Sequence, residues 1–486
     1  MSRRTIMIAL LLPLGACSMV PAYVRPAPPI PTTLPTTREE AALPSLNYRD
    51  IFRDERLQKV IEQALANNRD LRVAAANIAA ARAQYRIVAA AELPSVGGSI
   101  TATESDSGTG RTNVGGSPVS GGARTNYAIN ATVSAFEIDL FGRVRALSEA
   151  QQDRYFATEA GAHAIRLTLI GDIATSWLKY AADNSLLQIA QDTADNAMRS
   201  VALTKARLDG GIAPRTDLAQ AQTVLATAQS DLAVQQTALA QDSNALTLLV
   251  GARFDPALLP ESIAIAGPTV AELPAGLDSG ILLRRPDVVQ AEYQLRAANA
   301  QVGAARAALF PRLSLTTVAG LASNGLSRLF TANAFNYSAA PSISYPIFSG
   351  GVGKAAVRQA RAQFDAAVAT YEKTIQTAFR EVADALARRA TIGAQASAQM
   401  QLVAASSDNF RLSDARYRGG IDSFLQSLDA QRSLYSARRS LVATQLTSAT
   451  NLVTLYRTLG GDALIETDAK GPVPVGAPSE NPATSE

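Results

Sequence analysis

The chain contains 486 residues, enough for several ordinary domains, and its 45 basic and 42 acidic side chains give a formal net charge of +3. A charge this balanced does not favour nucleic acid or another strongly charged partner. The sequence has one cysteine, Cys17, and one histidine, His163. Composition therefore excludes a disulfide framework, a zinc site built from cysteine and histidine, and a Cys–His catalytic pair in the mature chain.

The first residues have the pattern of an export signal. Arg3 and Arg4 precede an apolar stretch at 6–14, and small residues then lead to Cys17. Because this stretch is too short to span a bilayer, we predict a signal peptide over residues 1–16. No later segment is apolar over ~18 consecutive residues, so any further membrane crossing is predicted to use strands.

The string Leu-Gly-Ala-Cys that ends at Cys17 resembles the bacterial lipobox. The resemblance implies that the thiol of Cys17 receives diacylglycerol and that cleavage leaves Cys17 as an N-acylated first residue. Ser18 follows, which in lipoproteins implies sorting to the outer membrane. The alternative is a core cysteine behind an ordinary signal, because free cysteine is often buried.

An internal duplication organises the chain. The string ARLDGGI at 206–212 recurs as ARYRGGI at 415–421, a shift of 209 positions. Upstream, Asp70 matches Asp287 at a shift of 217, so the first copy holds eight extra residues. We place them in the Gly-, Ser- and Thr-rich run at 105–122, which predicts a longer exposed loop.

Each copy has the same predicted order of elements. A helix, at 70–92 and at 286–309, leads into two strands joined by a polar loop. A helix of more than 60 residues follows and ends at a double glycine, at 210–211 and at 419–420, before a helix of about 35 residues returns. At 1.5 Å per residue the long helix spans ~100 Å, so it needs neighbours along its whole length.

Apolar residues in the returning helices recur every seven positions, which is typical of coiled coils. A second apolar stripe on the last helix indicates a second neighbour, as in a closed wall of helices. An ordinary globular helical bundle is the alternative. The repeats are Leu218, Leu225, Leu232, Leu239 and Leu246, then Leu428, Tyr435, Val442, Ala449 and Tyr456, and the second stripe is Leu434, Leu441, Leu452, Leu455 and Leu459.

Four segments, near Ser95, Asn126, Leu313 and Tyr337, alternate between apolar and small polar residues, the first of them more weakly. In the second segment the predicted apolar face runs from Tyr127 through Ala135. The pattern fits strands with one face toward lipid, and a half-buried soluble sheet is the alternative. Four strands are too few to close a barrel of about eight or more, so we predict that other subunits complete it.

Several motifs give the chain a family resemblance. Over nearly all of the mature sequence it resembles the outer-membrane factors of tripartite efflux systems, the TolC and OprM-like group, and specifically their NodT-type lipoprotein branch. Besides the lipobox, the motifs are PAYVRP at 21–26, FEIDLFGR at 136–143, LRRPDV at 283–288, YPIF at 345–348 and LDAQ at 428–431.

The resemblance implies a mainly α fold with a β-barrel portion. The duplicated repeat would give long antiparallel coiled-coil helices in an α-barrel, and four transmembrane strands per protomer would complete a 12-stranded barrel in a homotrimer. The implied location is the outer membrane, with a long periplasmic extension. The implied partners are a periplasmic adaptor of the membrane-fusion type, an inner-membrane RND-type transporter and outer-membrane lipid.

The function that this resemblance implies is the export of small molecules such as drugs or toxic compounds across the outer membrane. One alternative is the outer duct of type I protein secretion, which uses the same architecture, although the lipobox favours efflux. Another is a structural trimeric coiled-coil protein of the outer membrane. The returning helices argue against that alternative, because a parallel stalk contains none.

By the same resemblance, the double-glycine turns lie at the periplasmic end, where helices converge into a gate. We predict that the carboxylates of Asp217 and Asp422 form a ring of like charge, balanced by nearby arginines. The alternative is that both are solvated or helix-capping residues after a glycine turn. The residues assigned to the gate are Arg215, Thr216, Asp217, Arg416, Tyr417, Arg418 and Asp422.

The sequence does not favour an enzyme. A phosphate loop at 350–355 is excluded because Ala355 follows Lys354 and leaves no hydroxyl for magnesium. We predict no catalytic activity, no metal, and no cofactor apart from the acyl chains on Cys17. The predicted organisation is a signal peptide at 1–16, a lipidated segment at 17–69, a first repeat at 70–251, a connection at 252–285, a second repeat at 286–460 and an end segment at 461–486.

Overall fold

The computed structural model describes residues 18–31, 47–106, 113–114, 117–118, 123–271 and 279–475. The predicted signal peptide, the lipidation site Cys17, and most of the run at 105–122 lie outside the described residues. The chain divides into two compact units. The first comprises Met1–Pro26, Ile78–Thr158 and Ala291–Tyr371, and the second comprises Ala27–Asn77, Glu159–Gln290 and Glu372–Glu486.

Helices dominate the described chain, and the duplication predicted from the sequence is present in their lengths. The two long helices have 67 residues each, so each is about 100 Å long, and the returning helices have 36 and 35. The helices are α1 (Tyr48–Ile51), α2 (Glu55–Asn67), α3 (Arg69–Ala89), α4 (Arg143–Asp209), α5 (Arg215–Val250), α6 (Ile263–Ala266), α7 (Pro286–Ala307), α8 (Val352–Arg418) and α9 (Phe424–Thr458).

Glycine ends the long helices where the sequence predicted. Gly211 and Gly420 have φ angles of +72° and +76°, a left-handed conformation that glycine adopts without steric cost. The residues that follow close the turns, since Ile212 N donates to Arg207 O at 2.8 Å and Ile421 N donates to Arg416 O at 2.9 Å. The chain therefore reverses within a few residues and starts the returning helix.

The first unit contains a four-stranded antiparallel sheet of order β1-β4-β5-β6. Its central pair joins the two copies of the repeat. The side chains of the two edge strands are exposed throughout, including Ile100 and Tyr337. The strands are β1 (Val96–Asp106), β2 (Asn113–Val114), β3 (Ser117–Pro118), β4 (Ala123–Ile138), β5 (Arg312–Ser323), β6 (Phe335–Ser344), β7 (Ile465–Asp468) and β8 (Gly471–Pro474).

One detail of the predicted alternation is wrong. The sequence pattern continued the apolar face of β4 through Ala135, but a β-bulge interrupts the register between Val133 and Phe136. Val133 pairs with Thr317 and Phe136 pairs with Leu315, so β4 contains one more residue than β5 across this interval. Such an extra residue bends a strand and redirects the side chains that follow it.

Both ends of the described chain make specific contacts. Near the C-terminal end, Gly471–Pro474 pairs with Ile465–Asp468 in a two-stranded sheet. The side chain of Ile465 is fully buried, which fixes this pair of strands within the second unit. The N-terminal residues 18–31 contain no helix or strand but have specific contacts. Among the helices that the structure describes, none has the length and hydrophobicity that a membrane crossing requires.

Candidate functional site

The two double-glycine turns are the candidate site. In the first turn, Pro214 occupies the position before α5, and Arg215, Thr216 and Asp217 form the first helical turn. The Asp217 amide donates to Pro214 O at 3.1 Å. A carboxylate in this position faces the positive end of the helix dipole, which stabilises it.

In the second turn, the charged residues pair locally. Nε of Arg416 donates to Asp422 Oδ2 at 2.6 Å and Nη2 donates to Oδ1 at 3.0 Å, which forms a bidentate pair. These hydrogen bonds lower the pKa of the Asp422 carboxyl. One turn earlier, Arg418 pairs with Asp414 at 2.8 Å. Each cation here therefore has a carboxylate within six positions along the chain.

Tyr417 connects the two repeats at these turns. Its side chain is buried, and its hydroxyl lies 3.2 Å from Oγ1 of Thr204 on α4. The guanidinium of Arg207 lies 4.5 Å from the centre of the tyrosine ring, a cation–π contact. Arg207 also donates from Nη2 to the backbone oxygen of Arg418 at 2.9 Å. The end of α4 is thereby held against the end of α8.

The duplication explains why Arg207 crosses to the other repeat. At the shift of 209, Arg207 corresponds to Arg416 and Ala213 corresponds to Asp422. The first turn therefore lacks the carboxylate that holds Arg416 within its own turn. The sequence analysis did not assign Arg207 or Thr204 to the site. The signal that was available is the replacement of the Asp422 carboxylate by Ala213 at the aligned position.

An apolar cluster lies beneath these polar contacts. It includes residues from both long helices, α4 and α8, and from both returning helices, α5 and α9, so the four helix ends pack around one small core. The rings of Tyr417 and Phe424 lie 5.4 Å apart, a distance at which aromatic pairs attract. The buried members are Ala221, Tyr417, Phe424 and Leu428, with Val201, Leu203 and Val224 packed against them.

The structure thus shows direct contacts among four of the predicted gate residues and none of this kind for the other three. Arg416, Tyr417, Arg418 and Asp422 share the second turn. Within the described chain, no hydrogen bond or ion pair joins the side chains of Arg215, Thr216 or Asp217 to that group. The ring of like charge at Asp217 and Asp422 stays a prediction.

A second charged group lies further along the same hairpin. Lys179 on α4 is within hydrogen-bond distance of two carboxylates, Asp183 at 2.9 Å and Asp242 on α5. Asp242 is buried, and its Oδ2 accepts no hydrogen bond from any described residue. Burial and the neighbouring carboxylate of Asp183 raise the pKa of Asp242 to about 6. The ammonium of Lys179 thus pairs with two carboxylates. When Asp242 is protonated, its carboxyl group donates a hydrogen bond to the carboxylate of Asp183.

The same position in the second repeat is uncharged. Asn451 lies 209 positions after Asp242, and it donates from Nδ2 to the backbone oxygen of Ala385 at 3.1 Å. The amide of Asn451 therefore supplies a hydrogen-bond donor at this position without a titratable group. Among the described residues, no group of three or more histidine, cysteine and acidic side chains is arranged to hold a metal ion.

Comparison with known proteins places this geometry in a family. The family model described as outer membrane efflux protein matches residues 60–252 and 278–461, which cover most of both repeats. The chain belongs to this family. A relative from Pseudomonas putida, the solvent efflux pump outer membrane protein SrpC, is 40% identical over 465 residues, which cover 94% of this chain and 97% of SrpC.

Solved structures agree with the family assignment. The crystal structure of CusC has a TM-score of 0.81 at 37% identity and covers 92% of this chain and 100% of CusC. The outer membrane channel MtrE of Neisseria gonorrhoeae, solved in its open state, has a TM-score of 0.80 at 33% identity and covers 92% of this chain and 98% of MtrE. These findings confirm the predicted family, the mainly helical fold with its strand portion, and the outer-membrane location.

Proposed function

We propose that three copies of this chain form a continuous duct that exports small toxic molecules across the outer membrane. The observation that carries the proposal is the incomplete sheet. Among the described residues, β1 and β6 are the two edges of a four-stranded sheet. Each pairs with a strand on one side only and carries exposed apolar side chains. An open edge cannot persist in lipid, because its backbone groups find no hydrogen-bond partner there.

Further copies of the chain supply the missing partners most simply. Joining β1 of one copy to β6 of the next gives every edge a neighbour, and with four strands in each copy three copies give a closed sheet of twelve. The long helices support the same arrangement, since Leu218, Leu225, Leu232 and Leu239 on α5 remain partly exposed in one chain. A neighbouring copy would cover them.

The duct is proposed to act with two other proteins. SrpC is named as the outer membrane protein of a solvent efflux pump, which supports a multi-component assembly. We propose an RND-type transporter as the inner-membrane motor of this assembly and a periplasmic adaptor that joins it to the hairpin ends. Type I protein secretion remains the second candidate, because the same duct architecture serves it.

Complementation tests the export role. A Gram-negative strain that lacks its own efflux duct, but keeps the adaptor and transporter, becomes sensitive to organic solvents and hydrophobic antibiotics. Expression of this chain with its native partner genes is expected to restore tolerance without restoring secretion of a type I substrate protein. Restored secretion with unchanged tolerance would favour the second candidate, and restoration of neither would contradict both.

Anchoring is proposed to occur through Cys17. Acylation predicts that the mature N-terminal peptide carries the mass of a diacylglyceryl group and one amide-linked acyl chain. Mass spectrometry of the purified protein measures this directly. A mature N-terminus at any residue other than an acylated Cys17 would contradict it.

The charged residues of the turns are proposed to restrain the closed duct. Removing both carboxylates in an Asp217→Ala, Asp422→Ala double variant leaves Arg416 without its partner, and arginines from several copies then repel one another. We expect a higher single-channel conductance in planar bilayers. An Asp408→Ala variant is the matched control, because Asp408 forms an exposed pair with Arg411 elsewhere on α8. A conductance equal to that of the parent and the control would count against the charge restraint.

A further inference from the structure

The N-terminal arm, residues 18–25, lies along one stripe of α7. Four residues of α7, spaced by four, three and four positions, contact it: Glu292, Arg296, Asn299 and Gly303. This spacing places them on one face of the helix. The arm and the stripe both belong to the first unit.

The stripe has room for the arm because one of its members lacks a side chain. A Cβ built on Gly303 would lie 2.5 Å from Cγ2 of Val20, 2.6 Å from its Cα and 2.9 Å from its backbone nitrogen. Two of these three atoms are backbone atoms, so a side-chain rotation of Val20 cannot relieve the clash. Any residue larger than glycine at 303 would therefore displace the arm.

Polar contacts fix the register of the arm. Asn299 donates from Nδ2 to the backbone oxygen of Pro21 at 2.8 Å. Arg25 forms a bidentate pair with Glu292, whose side chain is only 3% exposed, and the Nε to Oε1 distance is 2.8 Å. Planar, bidentate pairing of this kind is specific in geometry, and a buried carboxylate depends strongly on its partner.

Aromatic contacts complete the site. The guanidinium of Arg296 lies 5.8 Å from the ring centre of Tyr23 and 5.5 Å from that of Tyr293. It also lies 3.6 Å from a carboxylate oxygen of Asp153 on α4. Arg296 is therefore held by side chains of α4 and α7, and its guanidinium lies within cation–π distance of Tyr23 in the arm.

Followed from Arg25 back to Val20, the arm runs along α7 toward the sheet. Arg25 contacts Glu292 near the start of α7, and Val20 contacts Gly303 near its end, so the arm runs antiparallel to the helix. Val20 lies three positions after Cys17 in the sequence, a reach of at most about 10 Å. β5 starts at Arg312, a few residues beyond the end of α7. The docked position of Val20 is thus near the end of α7 that leads into the sheet.

We propose that the stripe of Glu292, Arg296, Asn299 and Gly303 is a docking site for the chain's own N-terminal arm, and that docking fixes the position at which the lipid anchor enters the membrane. The second half rests on the acylation of Cys17 proposed above. An undocked arm would tether the lipid through a flexible chain, and the anchor would then sample a wide area around the duct.

Spin labelling of the full-length, membrane-reconstituted protein tests the proposal. A cysteine at Ala22 is suitable, because Ala22 is exposed and lies between two docked residues. In the parent background the nitroxide is expected to show restricted motion. Arg25→Glu removes the buried pair, and Gly303→Ala fills the space of Val20 while favouring the helix itself. Each is expected to make the label several-fold more mobile.

Val24→Glu is the matched control. Val24 lies beside Arg25 but is 79% exposed, so its replacement should leave the docked arm in place and the label at Ala22 restricted. A label that is already mobile in the parent, or one that stays equally restricted in Arg25→Glu and Gly303→Ala, would overturn the docking site.

The same samples separate docking from lipidation. An acylated Cys17 cannot react with the label, so the protein should carry one nitroxide per chain. Two nitroxides would show that Cys17 is free, and the anchor half of the proposal would fail while docking is still measured at Ala22. The anchor half is tested by the accessibility of the nitroxide at Ala22 to oxygen, which concentrates in lipid, and to a nickel complex, which stays in water. Compared with the parent, Arg25→Glu and Gly303→Ala should both increase the accessibility to the nickel complex relative to oxygen. A ratio equal to that of the parent would contradict anchor positioning.

Discussion

Replacing Tyr417 with alanine is expected to raise the single-channel conductance several-fold. The substitution removes the ring that packs against Phe424, the hydroxyl that contacts Thr204, and the surface on which Arg207 stacks. Loss of a buried aromatic side chain costs about 3 kcal/mol or more, and here the loss falls on the contacts that join α4 to α8. The helix ends should then separate more readily. Planar-bilayer recording measures the effect directly.

Two variants isolate the cause. Tyr417→Phe keeps the ring and removes only the hydroxyl, so its conductance should stay close to that of the parent. Leu208→Ala changes the position that matches Tyr417 in the first repeat, where the side chain is only partly buried, and it should also have little effect. If Tyr417→Ala conducts no more than these two controls, the tyrosine does not restrain the helix ends.

Replacing Asp242 with asparagine is expected to stabilise the protein at pH 8 and to leave it nearly unchanged at pH 4. The pKa of Asp242 is raised to about 6 in the folded chain, above its ordinary value of 3.8. The folded state therefore holds a proton that the unfolded state releases. The resulting stabilisation is complete below pH 4 and is lost as the pH rises through 6.

The asparagine supplies the missing donor at every pH, because its Oδ1 accepts from Lys179 and its Nδ2 faces Asp183. We expect a gain of about 2 kcal/mol at pH 8, below the full value of two pKa units because Lys179 stays half exposed to solvent. Thermal unfolding in detergent at pH 4, 6 and 8 measures the difference between variant and parent.

The second repeat provides a matched control. Asn451→Asp places a carboxylate at the position equivalent to Asp242 and leaves the oxygen of Ala385 without its donor. This variant should lose stability as the pH rises, opposite to Asp242→Asn. If both variants unfold with the pH dependence of the parent, Asp242 does not carry a proton in the folded chain.

Local sequence patterns predicted the elements of this fold well, and the reason is physical. Helices as long as α4 and α8 require sustained periodicity, and their ends require a residue that tolerates positive φ, so Gly211 and Gly420 mark them in the sequence. Apolar and small polar residues alternate in the sequence of β4 and of the first half of β5, which made these strands recognisable. The bulge at Val133 was missed because it depends on pairing with β5 rather than on β4 alone.

Contacts between distant segments were much harder to predict. Arg25 and Glu292 are separated by 267 positions, and no periodicity links them. The cross-repeat contact of Arg207 with Tyr417 likewise depends on how two hairpins pack. The duplication indicates some candidate positions, because alignment of the two copies shows where they differ in charge, as at Asp242 and Asn451. Pairs within one turn, such as Arg416 and Asp422, were the part of the candidate site that sequence proximity suggested.

Disulfide trapping between copies tests the central claim, that identical chains complete one closed duct. The mature chain has no free thiol if Cys17 is acylated, so a cysteine at Thr101 on β1 and one at Ser338 or Ala340 on β6 are the only reactive groups. After mild oxidation in membranes, denaturing gels should show monomers, dimers and trimers and nothing larger, while each single-cysteine variant stays monomeric. Monomers alone across the panel, or a ladder that continues past three chains, would contradict the closed trimer.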